Sequence, residues 1–291
     1  MKRRILLLAA AAAAVAALIC WYAAPKRTAH TSVAMGSVLT QTIWEPPHMG
    51  RRSVANDIHD AIEQLERELL SAKEAPALAL EIMEASGGAF DPWLGAVVKL
   101  WDINGEPRLP AREEIDRALE RRALDLGAYG KGAGCDEALR ILRGSCKAAV
   151  VNLGGNILTY GQKPWKQPFQ IALRDPKGGP NDTLGTFTLR GTRFISTSGS
   201  YEKYFEQDGK RYHHIFDPLT GYPAEREPGL VSVTVVSDHG ALGDMLSTAC
   251  FVLGYEASRE LLGAYHCGAL FVYENGDIRS AGQVMEYWSP A

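Results

Sequence analysis

The sequence predicts an α+β fold: a largely antiparallel sheet with flanking helices, preceded by an N-terminal membrane-anchor or signal helix. Three observations predict it. Helical periodicity dominates the first half of the body and short strand-like runs the second, an order that favours α+β over a regular βαβ winding. Asp208-Gly209 and Asn275-Gly276 sit between strand-like runs, where such dipeptides close antiparallel hairpins. Lys2, Arg3 and Arg4 precede an uncharged stretch from Ile5 to Tyr22, the layout of an export signal.

That stretch has 18 residues, close to the lower limit for crossing a bilayer. Residues 1–24 therefore read as a signal peptide or an uncleaved anchor. Cys20 raises a lipoprotein reading, but Ile19 stands where a lipobox needs a small residue. Under each reading the basic start stays inside and the body faces outward. Residues 25–34 read as a tether and 35–291 as the folded domain. Val38 to Trp44 alternates as a strand. Ile58, Ile62, Leu65 and Leu69 recur at helical spacing over 54–71, and a second helix fits 75–86. Asp91-Pro92 has the residues of a helix start, which predicts a helix to about Trp101. Helices also fit 110–122 and 132–143, the latter stopped by Gly144. Ala148–Leu153, Phe169–Leu173, Thr186–Leu189 and Arg193–Ser196 read as strands, and Leu230–Val236 as an alternating one. A helix over about 241–253, another just after it and a hairpin from Ala269 to Ala281 complete the chain.

Thirty-one Lys and Arg against 34 Asp and Glu give a net charge of −3, without the basic excess of a nucleic-acid-binding domain. A hydrophobic share of 46% is that of a globular protein with a substantial core. The five cysteines form no C-x-x-C pair, and whether Cys135 and Cys146 bond to each other is open.

Five motifs could carry chemistry. Asp125 to Gly134 holds four glycines and Lys131 at the start of a helix; such a run exposes backbone amides to an anion, or serves tight packing. It is neither a P-loop nor G-x-G-x-x-G. Asn152 to Asn156 ends an apolar strand and is a ligand loop or a plain turn. Thr197 to Glu202 offers hydroxyls and amides. His213 to Gly221 brings two histidines and Asp217 into one rigid turn, a candidate general base or a capped structural turn. Asp244 and Thr248, four apart on a helix, share a face; two hard oxygens there suit Mg²⁺, or serve the helix alone.

Together and in this order, these motifs resemble the ApbE family of FAD:protein FMN transferases, formerly called thiamine biosynthesis lipoproteins. Met35-Gly36-Ser37 and Gly88 to Pro92 extend the match, which covers about 35–281. The resemblance implies an ApbE-like fold and an exported enzyme. Such an enzyme binds FAD and Mg²⁺ and transfers FMN to a Thr or Ser hydroxyl of a partner flavoprotein, forming a phosphoester and releasing AMP. It implies Asp244, Thr248 and the Ala128 carbonyl as metal ligands, and Lys131 as a phosphate contact. Met35, Phe90, Asp91, Ser198 and Gly199 would bind FAD. His214 would take the hydroxyl proton, with Asp217 orienting or replacing it. The expected location is the extracytoplasmic, periplasmic side of a bacterial inner membrane. Departures from the family pattern are a segment missing between the first helices, over Leu65 to Ala79, and Gly130, Ser200 and Gly243. A hydrolase releasing free FMN and AMP, or a non-catalytic flavin binder, would share most of these motifs.

Overall fold

The computed structural model describes residues 15, 25–45, 53–125, 127–179 and 181–291. The anchor or signal segment expected at 1–24 lies, apart from Val15, outside the described residues. Strands β1 (Lys26–Ala34) and β2 (Ser37–Glu45) form a hairpin, so the expected tether is an edge strand paired along its whole length. Its composition hid it. With Thr28, His30 and Ser32 half-buried among exposed neighbours, it has few apolar residues to mark a strand by hydrophobic alternation. Met35 and Gly36 turn the hairpin with φ of 49° and 63°, the left-handed pair of a two-residue turn.

Helix α1 (Val54–Ser71) starts where the Ser53 hydroxyl accepts the Ala55 N–H at 3.2 Å. Helix α2 (Ala77–Ala85) follows after five residues, in keeping with the shortened 65–79 region. Helix α3 (Gly95–Trp101) begins later than expected. Asp91 accepts the Trp93 N–H at 2.9 Å and closes a local turn instead of capping a helix. Then come α4 (Arg112–Glu120) and α5 (Gly130–Leu142), which takes in part of the glycine run and ends before Gly144 at φ 81°. Strand β3 (Ala148–Leu153) is paired with β4 (Asn156–Gly161), a strand the sequence reading did not anticipate.

Strands β5 (Phe169–Arg174), β6 (Thr183–Leu189) and β7 (Arg193–Gly199) lead to the β8 (Tyr204–Gln207) and β9 (Lys210–His213) hairpin, turned at Asp208-Gly209 as expected. Strand β10 (Leu230–Ser237), read as an alternating strand, is buried along its length: Thr234 meets Thr197 of β7 at 2.9 Å inside the sheet. Helices α6 (Gly240–Leu253) and α7 (Tyr255–Ala264), then β11 (Gly268–Tyr273), β12 (Ile278–Ala281) and β13 (Trp288–Pro290), finish the chain.

The main sheet has eight strands in the order β1-β2-β3-β4-β7-β10-β11-β12, antiparallel throughout. On one face lie α1, α5 and α6. Ile58, Ile62, Ala138 and Leu142 pack on Leu39, Ile43 and Val151, all fully buried. Each such aliphatic side chain contributes about 1.5–3 kcal/mol of apolar burial. On the other face sits a small sheet, β13-β6-β5, whose Phe169, Phe187 and Trp288 join Val231, Val236 and Leu270. Cys135, Cys146, Cys250 and Cys267 are all free, so Cys135 and Cys146 are not bonded. The β1–β2 turn, the β3–β4 turn and the start of α5 gather at one end of the main sheet; the start of β1 and the end of β4 lie at the other.

Candidate active site

The site is built where α5 crosses α6. A Cβ on Gly132 would stand 2.3 Å from the Gly240 carbonyl oxygen and 2.7 Å from the Asp244 Cβ. Only glycine allows that approach, and it lets the Gly132 N–H donate to Asp244 Oδ2 at 2.8 Å. Asn156, the first residue of β4, donates its amide to Asp244 Oδ1 at 3.2 Å. Burial pushes the Asp244 carboxyl above the usual carboxylate range, while Lys131, the Gly132 amide and Asn156 hold it down. Asp136 fixes the start of α6 from across the interface, accepting the Gly240 and Ala241 amides at 2.8 Å each.

One turn beyond Asp244, Thr248 returns its hydroxyl to the Asp244 carbonyl at 3.3 Å. Ser198 of β7 reaches across to Ser247 at 2.8 Å and Thr248 at 3.2 Å. Three hydroxyls and a buried carboxylate thus share one patch. The Asn156 Oδ1 is buried with no partner beside it. Among the described residues no three His, Cys, Asp or Glu side chains cluster as a metal cage. A single carboxylate with neutral hard oxygens fits a cation such as Mg²⁺, which keeps most of its ligands as waters and phosphates.

Lys131 runs past the β3–β4 turn: a Cβ on Gly154 would sit 3.2 Å from its Cδ. The Met35 side chain lies over α5, its sulfur 3.5 Å from where a Cβ on Gly134 would be, and the Met35 N–H donates to Glu66 at 3.0 Å. Ala128 stands half-buried two residues before α5. His214 places Nδ1 3.2 Å from the Lys203 carbonyl. Burial pushes its pKa down to about 4, and the nearby Lys203, His213 and Lys131 charges lower it further. The ring is therefore neutral at pH 7; with Nδ1 donating to Lys203, Nε2 carries the free lone pair.

Other expected residues are held by contacts of their own. Asp217 does not orient His214. Arg226 grips both its oxygens, at 2.6 and 2.7 Å, and it also accepts the Leu219 N–H at 2.9 Å. An arginine nine residues downstream had no local signal. Phe90 is 1% exposed and belongs to the core with Ile82 and Ala79. Asp91 is tied to Trp93 and, at 3.4 Å, to Arg122. Gly199 ends β7 opposite Ser232, with the Tyr201 ring filling the space a Cβ would need. Of the departures, Ser200 turns back onto the Val231 carbonyl at 3.3 Å. Gly243 is required where it stands, since its Cβ would meet the Ser237 hydroxyl at 2.5 Å. Asn156, Asp136 and Ser247 join the site without having been expected there. Asn156 closed the expected loop motif, and its placement as the first residue of a strand was the missing clue.

Fold and site define a class: antiparallel α+β proteins that hold an acid–hydroxyl centre at a glycine-tight helix crossing. The chain belongs to the ApbE family, whose model matches residues 66–271. It is 35% identical over 245 residues to the FAD:protein FMN transferase of Treponema pallidum, covering 72% of this chain and 67% of that protein. It is 30% identical over 299 residues to one of Klebsiella pneumoniae, covering 86% and 90%. The fold matches the crystal structure of the ApbE protein of Thermotoga maritima with a TM-score of 0.78 at 27% identity, over 90% of this chain and 99% of that one. The flavinyl transferase ApbE of Pseudomonas stutzeri matches with a TM-score of 0.71 at 25% identity, over 90% and 96%.

Proposed function

We infer that this chain is an FAD:protein FMN transferase, moving FMN from FAD to a Thr or Ser hydroxyl of an acceptor flavoprotein. The observation that carries the reading is the buried Asp244 carboxylate. It is held by the first turn of α5, with the Thr248 hydroxyl one helical turn on and the Ser198 hydroxyl of β7 bonded to Thr248. A buried carboxylate costs several kcal/mol without a counter-charge. Lys131 supplies part of one, and the rest of the oxygen set suits Mg²⁺ held by Asp244, Thr248 and the Ala128 carbonyl. When bound, such an ion would supply positive charge to offset that of the pyrophosphate.

The chain's own residues do the remaining work. Lys131 and the positive start of α5 favour the phosphates. Met35 and Ser198 stand at the site's edge, where a flavin nucleotide would be bound. His214 Nε2 accepts the acceptor hydroxyl proton as that oxygen bonds to the flavin-side phosphorus, and AMP leaves with the bridging oxygen. Asp217 has a structural part only, through Arg226. The basic-then-apolar N-terminus supports a body on the extracytoplasmic side of a bacterial inner membrane, anchored or released.

The test mixes the chain with FAD, Mg²⁺ and a Thr-bearing flavoprotein domain. It should start at residue 25, because a start at 30 would cut β1 in two. A Mg²⁺-dependent FMN mass increment that survives denaturation is expected. Free FMN and AMP without an adduct would favour hydrolysis, and intact bound FAD would favour a binder.

A further inference from the structure

The edge strand β1 begins four residues after the N-terminal apolar run ends in the sequence. Only Ala23, Ala24 and Pro25 separate Tyr22 from Lys26, the first residue of β1. Fully extended, that link reaches about 14 Å. If Ile5–Tyr22 spans a bilayer, this end of the sheet rests against the membrane and cannot float above it.

The same end carries a matching surface. Arg27 pairs with Trp44, Trp44 with Ala148, and Ala148 with Gly161, so the loop after β4 hangs off the membrane-proximal end. Three strand spacings place it about 15 Å from β1. Lys163 clamps the base of this loop, its ammonium 5.6 Å from the Trp44 ring centroid and 2.8 Å from the Pro168 carbonyl. Arg190 holds the far side through the Lys166 carbonyl at 2.6 Å. Between them Trp165 is 92% exposed, the most exposed large apolar side chain among the described residues. It and Lys166 have φ of 61° and 55°, left-handed values that are costly for a bulky side chain and here present an indole to solvent. The run 138–174 contains no Asp or Glu in a chain whose net charge is −3. Its exposed Lys147 and Lys166, with Arg27 and Arg190, make this end locally basic.

We propose that this end of the sheet is a membrane-seating surface, with Trp165 at headgroup depth and its flanking cations on anionic phospholipid. Indole rings favour that depth, and basic side chains favour an anionic leaflet. The candidate active site lies at the opposite end of the sheet. The nine residues of β1 put about 26 Å between the two ends, which is the height of the site above the lipid if β1 stands upright on it. The surface thus selects acceptors that present their hydroxyl well above the lipid. The inference rests on the anchor reading.

The test reconstitutes the full chain in phosphatidylcholine vesicles with and without phosphatidylglycerol and reads tryptophan emission against bromolipid. Subtracting the Trp165→Phe spectrum isolates Trp165 from the other five tryptophans. A blue-shifted difference spectrum, quenched about twofold by bromolipid and weakened by Lys147→Gln with Lys166→Gln, is expected. A water-like, unquenched difference spectrum overturns the proposal. So does a blue shift without bromolipid quenching, which would place Trp165 against a second copy of the chain. Release by alkaline carbonate would defeat the anchor reading alone; quenching read before that wash still decides the surface.

Discussion

At the scale of single residues, Thr248 and Asp217 make opposite predictions. The Thr248 hydroxyl faces both Ser198 and the Asp244 backbone, and a valine has the same shape without the oxygen. Thr248→Val should cut transfer by about 100-fold or more, the scale of a lost transition-state contact, and abolish its Mg²⁺ dependence. Its melting temperature should move by only a few degrees. Unchanged Mg²⁺-dependent turnover would remove Thr248 from the metal set. Asp217 is a nearly buried carboxylate whose partner, Arg226, is about one-third exposed. Asp217→Asn should cost about 1–3 kcal/mol of stability and leave the pH profile of transfer unaltered. A shifted profile would return Asp217 to proton chemistry. The different roles explain what was legible in the sequence. Asp244 and Thr248 are four apart on one helix, a relation that spacing reveals. The Asp217–Arg226 pair crosses a Pro-containing turn, and no periodicity links its members.

At the scale of elements, the glycine run serves packing, whether or not it also meets phosphates. Gly132 and Gly240 touch backbone to backbone, whereas a Cβ on Gly130 would meet only Leu69 at 3.7 Å and Met35 at 3.9 Å. Gly132→Ala should force α5 and α6 apart, break the amide bond to Asp244 and cost about 3 kcal/mol. Gly130→Ala should be neutral or stabilise by about 0.5 kcal/mol, since the space is open and the helix favours alanine. Urea denaturation of both variants checks the pair; equal effects would mean that the crossing can relax. The sequence showed the cluster and left packing and anion binding open, because only the crossing partner tells which glycines are crowded. Similarly, β1 went unseen because a strand with one wet face needs few apolar residues. Strand β4 followed a turn that looked like the end of the chain's order there. Periodic, amphipathic α1 and the Asp208-Gly209 hairpin were legible, since each depends on neighbours in sequence.

For the whole molecule, the buried His213 and its half-buried neighbour His214 shape how stability responds to acid. Burial holds His213 and His214 down to about 4, from an ordinary value of 6.5. His213 Nδ1 accepts the Ile215 N–H at 3.3 Å and so must stay unprotonated in the fold. The unfolded chain takes up these protons near pH 6.5, and the folded chain only near 4. Their contribution is thus complete above 6.5 and is lost as pH falls through this window. Each histidine removes up to about 1.4 kcal/mol per pH unit inside it. Glu114, held down to about 2 chiefly by Arg108, loses its pairing only below its ordinary 4.5, so its loss falls mainly at the lower edge of this window and beneath it. Urea unfolding between pH 7 and 4.5 should therefore show these histidines adding up to two protons to the slope, against which the raised Asp125 and Asp244 carboxyls work. His213→Gln should lower that slope by about one while leaving the carboxylate-driven loss below pH 4.5 in place. An unchanged slope in the variant would mean that His213 titrates normally and that the β9 end opens to water before the rest of the fold gives way.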